Sequence, residues 1–157
     1  MTRRRFLFLA LLTIACAPLP ARAETAQVGK PFPVKSLVFV DDAPDLAGKA
    51  AVIEFWATWC GPCVKMIPHL NELYGKYKAK GLVIVGVSQD FQKGDIAPFR
   101  KKTPIDYPVA FDQDMKLGAQ LGIDAIPWAF VLDRKGKVIW EGLSAKLTEE
   151  TLEKALK

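Results

Sequence analysis

Residues that commonly announce chemistry are scarce in this 157-residue chain, which holds three cysteines and one histidine. Three cysteines are too few for a disulfide-stapled miniprotein. One histidine is too few for a His-based metal cage. No internal repeat or low-complexity tract is visible, and no apolar run reaches the roughly 20 residues that a spanning helix needs. Half the residues are hydrophobic and a quarter are charged, a balance that fits a soluble globular protein and excludes disordered, collagen-like and multi-span membrane chains. The length suits one compact domain; two independent cores would be a tight fit. Acid is missing from residues 1–23, which carry Arg3, Arg4, Arg5 and Arg22 and neither Asp nor Glu. Removing those four from the 22 basic residues leaves 18 against 17 acidic ones, so most of the formal +5 belongs to the N-terminus. Nucleic acid as a partner therefore has no electrostatic support.

The N-terminus reads as an export signal. Arg3–Arg5 form a positive region, Phe6–Ala17 an apolar stretch, Pro18 and Pro20 break it, and Ala21-Arg22-Ala23 fits a small-x-small cleavage pattern. The expected division is a signal peptide over 1–23 and a domain over 24–157, with an uncleaved anchor as the alternative. Thr2–Leu7 resembles the twin-arginine export pattern, beside which the general secretory route is the default. Cys16 has Thr13 three residues before it, where lipidation signals usually carry Leu, so cleavage after Ala23 discards it. Export implies an oxidising compartment, here the periplasm. The two cysteines left, Cys60 and Cys63, would close too small a loop to restrict the unfolded chain. They are poorly placed to stabilise and well placed to react.

Ala50–Trp56 and Leu82–Val87 are near-continuous apolar runs, expected as strands buried on both faces. Between them Val64, Ile67, Leu70, Leu73, Tyr74 and Tyr77 repeat with a 3.6 period, predicting a helix over Pro62–Lys80 that Pro68 should kink and Gly81 end. Further expectations are a short strand at Ser36–Val40, a helix at Asp95–Lys102, a strand at Tyr107–Phe111 and a helix at Asp114–Leu121. Strands at Trp128–Leu132 and Lys137–Trp140 flank the hairpin turn Asp133-Arg134-Lys135-Gly136. Thr148 should cap a last helix over Leu147–Lys157. The order predicts an α/β domain with parallel strands first, an antiparallel hairpin later, and an insertion with its own structure between Val87 and Trp128.

The informative stretch is Phe55–Cys63, in which a Cys-x-x-Cys pair sits between a strand and a helix. Cys60 at the helix N-terminus meets unpaired N–H groups and the positive end of the macrodipole, both of which favour thiolate. Cys63, one turn in, reaches back to Cys60 but not outward. One sulfur is thus expected exposed and nucleophilic, the other shielded and resolving. Pro62 fits the first helical turn, and Gly61 leaves room for a partner backbone. Half of a zinc site is the competing reading, but only His69 accompanies the pair and it points to another face. Glu54 interrupts the first buried strand. Beneath the helix start in a low-dielectric region its pKa should rise, and it could accept the Cys63 proton, directly or through water. A Glu pointing to solvent is the bland alternative.

Glu54–Cys63 with Pro68 resembles the thioredoxin active site. Leu46–Lys49, Leu82–Ser88, the segment ending Tyr107-Pro108-Val109, and Gly122–Pro127 followed by Phe130–Asp133 resemble the exported TlpA/ResA-like branch of that superfamily. The resemblance implies a thioredoxin fold, a central mixed sheet flanked by helices, with an N-terminal extension and an inserted strand-helix segment. It places Glu54 where thioredoxins keep a buried Asp, and a cis proline at Ile126-Pro127, whose backbone would pair with a partner's extended chain. Trp128 follows, where relatives often carry a small residue or Thr; a core-facing Trp is the competing reading. Trp56 is expected in the core and Trp59 on the contact surface. The expected catalytic residues are Cys60, Cys63 and Glu54, and the expected substrate contacts are Trp59, Gly61, Pro62, Ile126, Pro127 and Trp128. No cofactor or metal is expected.

A thioredoxin-like dithiol has a potential near about −270 mV, against about −120 mV for a strong periplasmic oxidant. The expected activity is therefore protein-disulfide reduction, supplied by a membrane-embedded thiol-electron transporter. In the resembled branch the substrates include apocytochrome c. Two alternatives stand beside it. A peroxiredoxin-like peroxidase would want a Pro-x-x-x-Thr-x-x-Cys pattern, absent around Cys60. A copper-delivery protein would want a Cys-x-x-x-Cys spacing and a distant His.

Overall fold

A computed structural model describes residues 27–157. The leader, its cleavage site and Cys16 lie outside the described residues. In chain order the elements are β1 (Val38–Phe39), β2 (Ala50–Trp56), α1 (Gly61–Tyr77), β3 (Leu82–Ser88), α2 (Ile96–Lys102), β4 (Val109–Phe111), α3 (Lys116–Gln120), β5 (Trp128–Leu132), β6 (Val138–Leu143) and α4 (Glu149–Ala155).

The two apolar runs become β2 and β3, buried along their whole length. They pair in parallel, and the six-stranded sheet runs β1-β4-β3-β2-β5-β6. β4 continues the parallel part beside β3, whereas β5 pairs antiparallel to β2 and β6 antiparallel to β5. Alternation along β2 divides the core in two. Ala50, Val52 and Trp56 share a layer with Cys63, Ile67 and Leu70 of α1 and Leu152 of α4. Ala51, Ile53 and Phe55 share the other with Phe32, Phe130, and Leu117 and Leu121 around α3.

Most boundaries agree with the periodicity. α1 passes through Pro68 as one helix, with the proline on its exposed side. Gly81 follows in the left-handed region at φ 92°. Thr148 caps α4, its side chain accepting from the Thr151 N–H. Two expectations are corrected. The strand expected over Ser36–Val40 shrinks to Val38–Phe39 because Val34–Ser36 closes a 3₁₀ turn first. The helix expected from Asp114 starts at Lys116, because Asp114 and Met115 are left-handed, at φ 57° and 54°.

Two contacts tie the periphery together. Arg134, in the β5–β6 turn, donates to the carbonyls of Gly48, Lys80 and Leu156, three segment ends in one grip. Ahead of the sheet, Gly29 and Phe32 donate backbone bonds to Val138 and Gly136, and Lys30 accepts from Val138. This N-terminal segment covers part of the β6 edge. Among the described residues, no helix is long and apolar enough to cross a membrane.

Candidate active site

β2 delivers the chain to the site and α1 leads it away. Cys60 is the N-cap of α1, and its Sγ accepts from the Cys63 N–H at 3.2 Å. The two sulfurs form a disulfide with Cα atoms 5.2 Å apart. Pro62 lies in the first turn, where its missing N–H leaves no bond unmade. A Cβ built on Gly61 meets nothing within 4 Å, so the face over the disulfide is open. The expected exposure of Cys60 is corrected: in the disulfide it is 6% exposed and Cys63 0%. The order of access is kept, since what little surface of the pair reaches solvent belongs to Cys60. The bond to Cys63 turns Cys60 inward, and the loop at Ile126 closes the other side, its carbonyl oxygen 3.9 Å from Cys60 Sγ. The Ile126–Pro127 bond is cis.

Glu54 lies on the same face of β2 as Val52 and Trp56, in the layer that holds Cys63. Its register neighbours are Gly86 on β3 and Ala129 on β5, small residues that leave the carboxyl its space. It is fully buried, and neither carboxyl oxygen has a hydrogen-bond partner among the described residues. Burial pushes its pKa up to about 8. The Ser144 side chain pulls the other way, although its hydroxyl too lies outside hydrogen-bonding geometry. The Trp56 indole N–H and the Tyr107 hydroxyl are likewise buried without partners. Both rings crowd the open side of Gly86, where an added Cβ would come within 2.9 Å of Trp56 Nε1 and 3.0 Å of Tyr107. Burial and the negative charge of Glu54 hold the Tyr107 phenol above its usual range. The layer that holds Cys63 thus also holds a buried titratable carboxyl and, among the described residues, the unpartnered Trp56 indole N–H and Tyr107 hydroxyl.

On the outer side, Trp59, Gln89, Met115, Ala119 and Ile123–Ile126 line a groove of about 510 Å³. Asp90 braces its rim: the Thr58 N–H donates to it at 3.0 Å, the Thr58 hydroxyl at 2.7 Å and the Ser88 hydroxyl at 2.7 Å. Of the expected contact residues, Trp59 and Ile126 line this groove, Gly61 and Pro62 are exposed beside the disulfide, and Pro127 adjoins it. Trp128 sits apart, half-buried against the layer of Phe55 and Phe130. His69 is exposed and Trp56 is core. Sequence reasoning missed Asp90, Phe91, Met115, Tyr107 and Ser144. Phe91 alone carried a signal, as a single aromatic in the polar run Gln89–Lys93.

A family model for the AhpC/TSA family matches residues 38–141. The thiol-disulfide oxidoreductase ResA of Bacillus thuringiensis (strain Al Hakam) is 36% identical over 143 residues, 87% of this chain and 81% of that protein. A ResA of Bacillus cereus is 34% identical over 168 residues, with 98% of this chain and 95% of that protein covered. Among solved structures, a Chlorobium tepidum chain assigned as the thiol:disulfide interchange protein DsbE superposes with a TM-score of 0.71 at 32% identity, covering 77% of this chain and 92% of that one. StoA from Bacillus subtilis shares the fold, with a TM-score of 0.62 at 23% identity over 77% of this chain and 94% of its own. The chain belongs to the AhpC/TSA family and has a thioredoxin-like fold.

Proposed function

We propose that this member of the AhpC/TSA family is an exported thiol-disulfide oxidoreductase that reduces protein disulfides through Cys60 and Cys63. The observation that carries the reading is the Cys60–Cys63 disulfide at the N-terminus of α1, with its open face at Gly61 and the buried carboxyl of Glu54 in the layer that holds Cys63. ResA relatives similar over most of the chain support it.

The reaction starts from the dithiol. Cys60 thiolate, favoured by the helix N-terminus and the Cys63 N–H, attacks one sulfur of the substrate disulfide. A mixed disulfide forms and the substrate's other sulfur leaves as a thiolate. Glu54 takes the Cys63 proton, directly or through water, and the Cys63 thiolate attacks Cys60 Sγ. The second substrate sulfur leaves, and the Cys60–Cys63 disulfide closes. Two electrons and two protons pass to the substrate, and a dithiol donor returns them.

The leader pattern supports a periplasmic location, where such a reductant needs electrons from a membrane-embedded thiol transporter. Resemblance to the TlpA/ResA branch supports a role in cytochrome c maturation, with apocytochrome c disulfides among the substrates. A Cys63→Ser variant tests the core of this reading. It should hold partners covalently on Cys60, and mass spectrometry of the captured proteins names the pathway. Capture through Cys63 in a Cys60→Ser variant instead would invert the roles. A reduction potential above about −150 mV would reverse the direction. Steady peroxide consumption without a disulfide substrate would favour the peroxidase alternative.

A further inference from the structure

Phe91 is 79% exposed and Trp59 56%, two of the five large hydrophobic side chains that stand out in solvent among the described residues. Their rings are stacked, with centroids 6.1 Å apart and planes 21° from parallel. The pair is braced. Thr58, the chain neighbour of Trp59, bonds through its N–H and hydroxyl to Asp90, the chain neighbour of Phe91. That carboxylate is buried and also accepts from Ser88. Two rings on separate loops are thus fixed to each other through their neighbours, which lowers the ordering cost of binding.

Met115 faces the pair. It lines the 510 Å³ groove with Trp59, and it also lines a side pocket of about 230 Å³ with Asp90, Phe91 and Asp114. It is held there by two successive left-handed residues, itself and Asp114, a conformation that costs energy for non-glycine residues. Asp112 pins the segment: its backbone carbonyl accepts from Met115, and its carboxylate from the Leu117 and Gly118 N–H groups. A flexible thioether beside two aromatic faces suits varied apolar side chains.

We propose that Trp59, Phe91 and Met115 form a side-chain subsite, which receives an aromatic or long aliphatic residue next to the target cysteine in an extended segment of the substrate protein. This rests on the reading of Cys60 as the attacking sulfur. The occupant follows from continuity with that sulfur. Trp59 precedes Cys60, and the Ile126 carbonyl, 3.9 Å from Cys60 Sγ, belongs to the other wall. A polypeptide attached to Cys60 must run along this groove.

The test compares reduction of a set of disulfide-linked peptides that differ only beside the cysteine, with Gly, Leu, Phe or Glu. Rates are measured with the reduced full domain and its Phe91→Ala and Met115→Ala variants, and glutathione disulfide serves as a substrate with no apolar side chain beside its cysteine. The expected result is a kcat/KM about 10-fold higher for the Phe than for the Gly peptide, from burial of one aromatic side chain. Both variants should bring that ratio below about 2-fold by slowing the Phe peptide toward the Gly peptide, and the reduction potential of each variant is measured to tell a lost subsite from altered cysteines. Equal rates for Phe and Gly peptides with the unaltered protein would overturn the subsite. So would a preference that survives both substitutions. Failure of the unaltered protein to exchange with glutathione disulfide or any peptide would instead sink the proposed function itself. Phe91 is mostly exposed, so its removal should leave the melting temperature within a few degrees of the parent's, and a thermal melt of the variant checks that the fold is intact.

Discussion

Glu54 couples stability to pH with a sign opposite to that of a salt-bridged carboxylate. Its folded pKa of about 8 lies above the ordinary 4.5. The unfolded chain therefore releases this proton first as pH rises. Stability from this group is fully present below pH 4.5, falls as pH climbs, and levels off above about 8. Between about pH 4 and pH 7 the loss should be about 3 kcal/mol. Guanidinium unfolding of the oxidised domain at both pH values measures it, and Glu54→Gln should flatten the difference to within about 1 kcal/mol. Catalysis gives the second readout. Only the ionised carboxylate can take the Cys63 proton, so resolution of a mixed disulfide should speed up about tenfold per pH unit until the carboxyl titrates near 8. Glu54→Gln should slow that step about 100-fold and remove this limb. An unchanged pH profile in the Gln variant would release Glu54 from the mechanism.

At the scale of elements, what the sequence revealed and what it hid have a common cause. β2, α1 and β3 were legible because burial on two faces or on one stripe writes a continuous or 3.6-residue pattern. They carry Glu54, Cys60 and Cys63, so the groups proposed to react were legible with them. The insertion was less so. Asp114 and Met115 depart from helical geometry because Asp112 caps the chain from outside, accepting from Leu117 and Gly118. That bond from outside the helix leaves no periodic trace. Asp90, Tyr107 and Ser144 were invisible for a similar reason, since each matters through a partner far away in sequence. Gly86 shows how closely the Trp56 and Tyr107 rings pack on β3. A methyl there would meet Trp56 at 2.9 Å and Tyr107 at 3.0 Å. Gly86→Ala should destabilise by about 1–3 kcal/mol through overpacking. It should also perturb the Glu54 titration, read from the pH dependence of unfolding. A variant as stable as the parent would mean the two rings have somewhere to retreat.

For the molecule as a whole, the sheet keeps reactivity and support on opposite faces. Cys63 and Glu54 share the layer under α1 and α4. Phe32, ahead of the first strand, plugs the other layer, buried and packed on the Phe130 ring at 5.5 Å. Around it, Gly29, Lys30 and Phe32 bond to the β5–β6 hairpin. The N-terminal extension should therefore contribute stability without touching redox chemistry. Phe32→Ala removes the ring and leaves the backbone bonds, with an expected loss of about 3–5 kcal/mol. Its reduction potential, and its rate with glutathione disulfide under conditions where it remains folded, should match the parent. The potential depends on how the protein treats the two sulfurs in their oxidised and reduced forms, and Phe32 stands in the layer across the sheet from Cys63 and Cys60. A variant that loses stability and also shifts its potential would show that the central strands transmit packing changes from one face to the other.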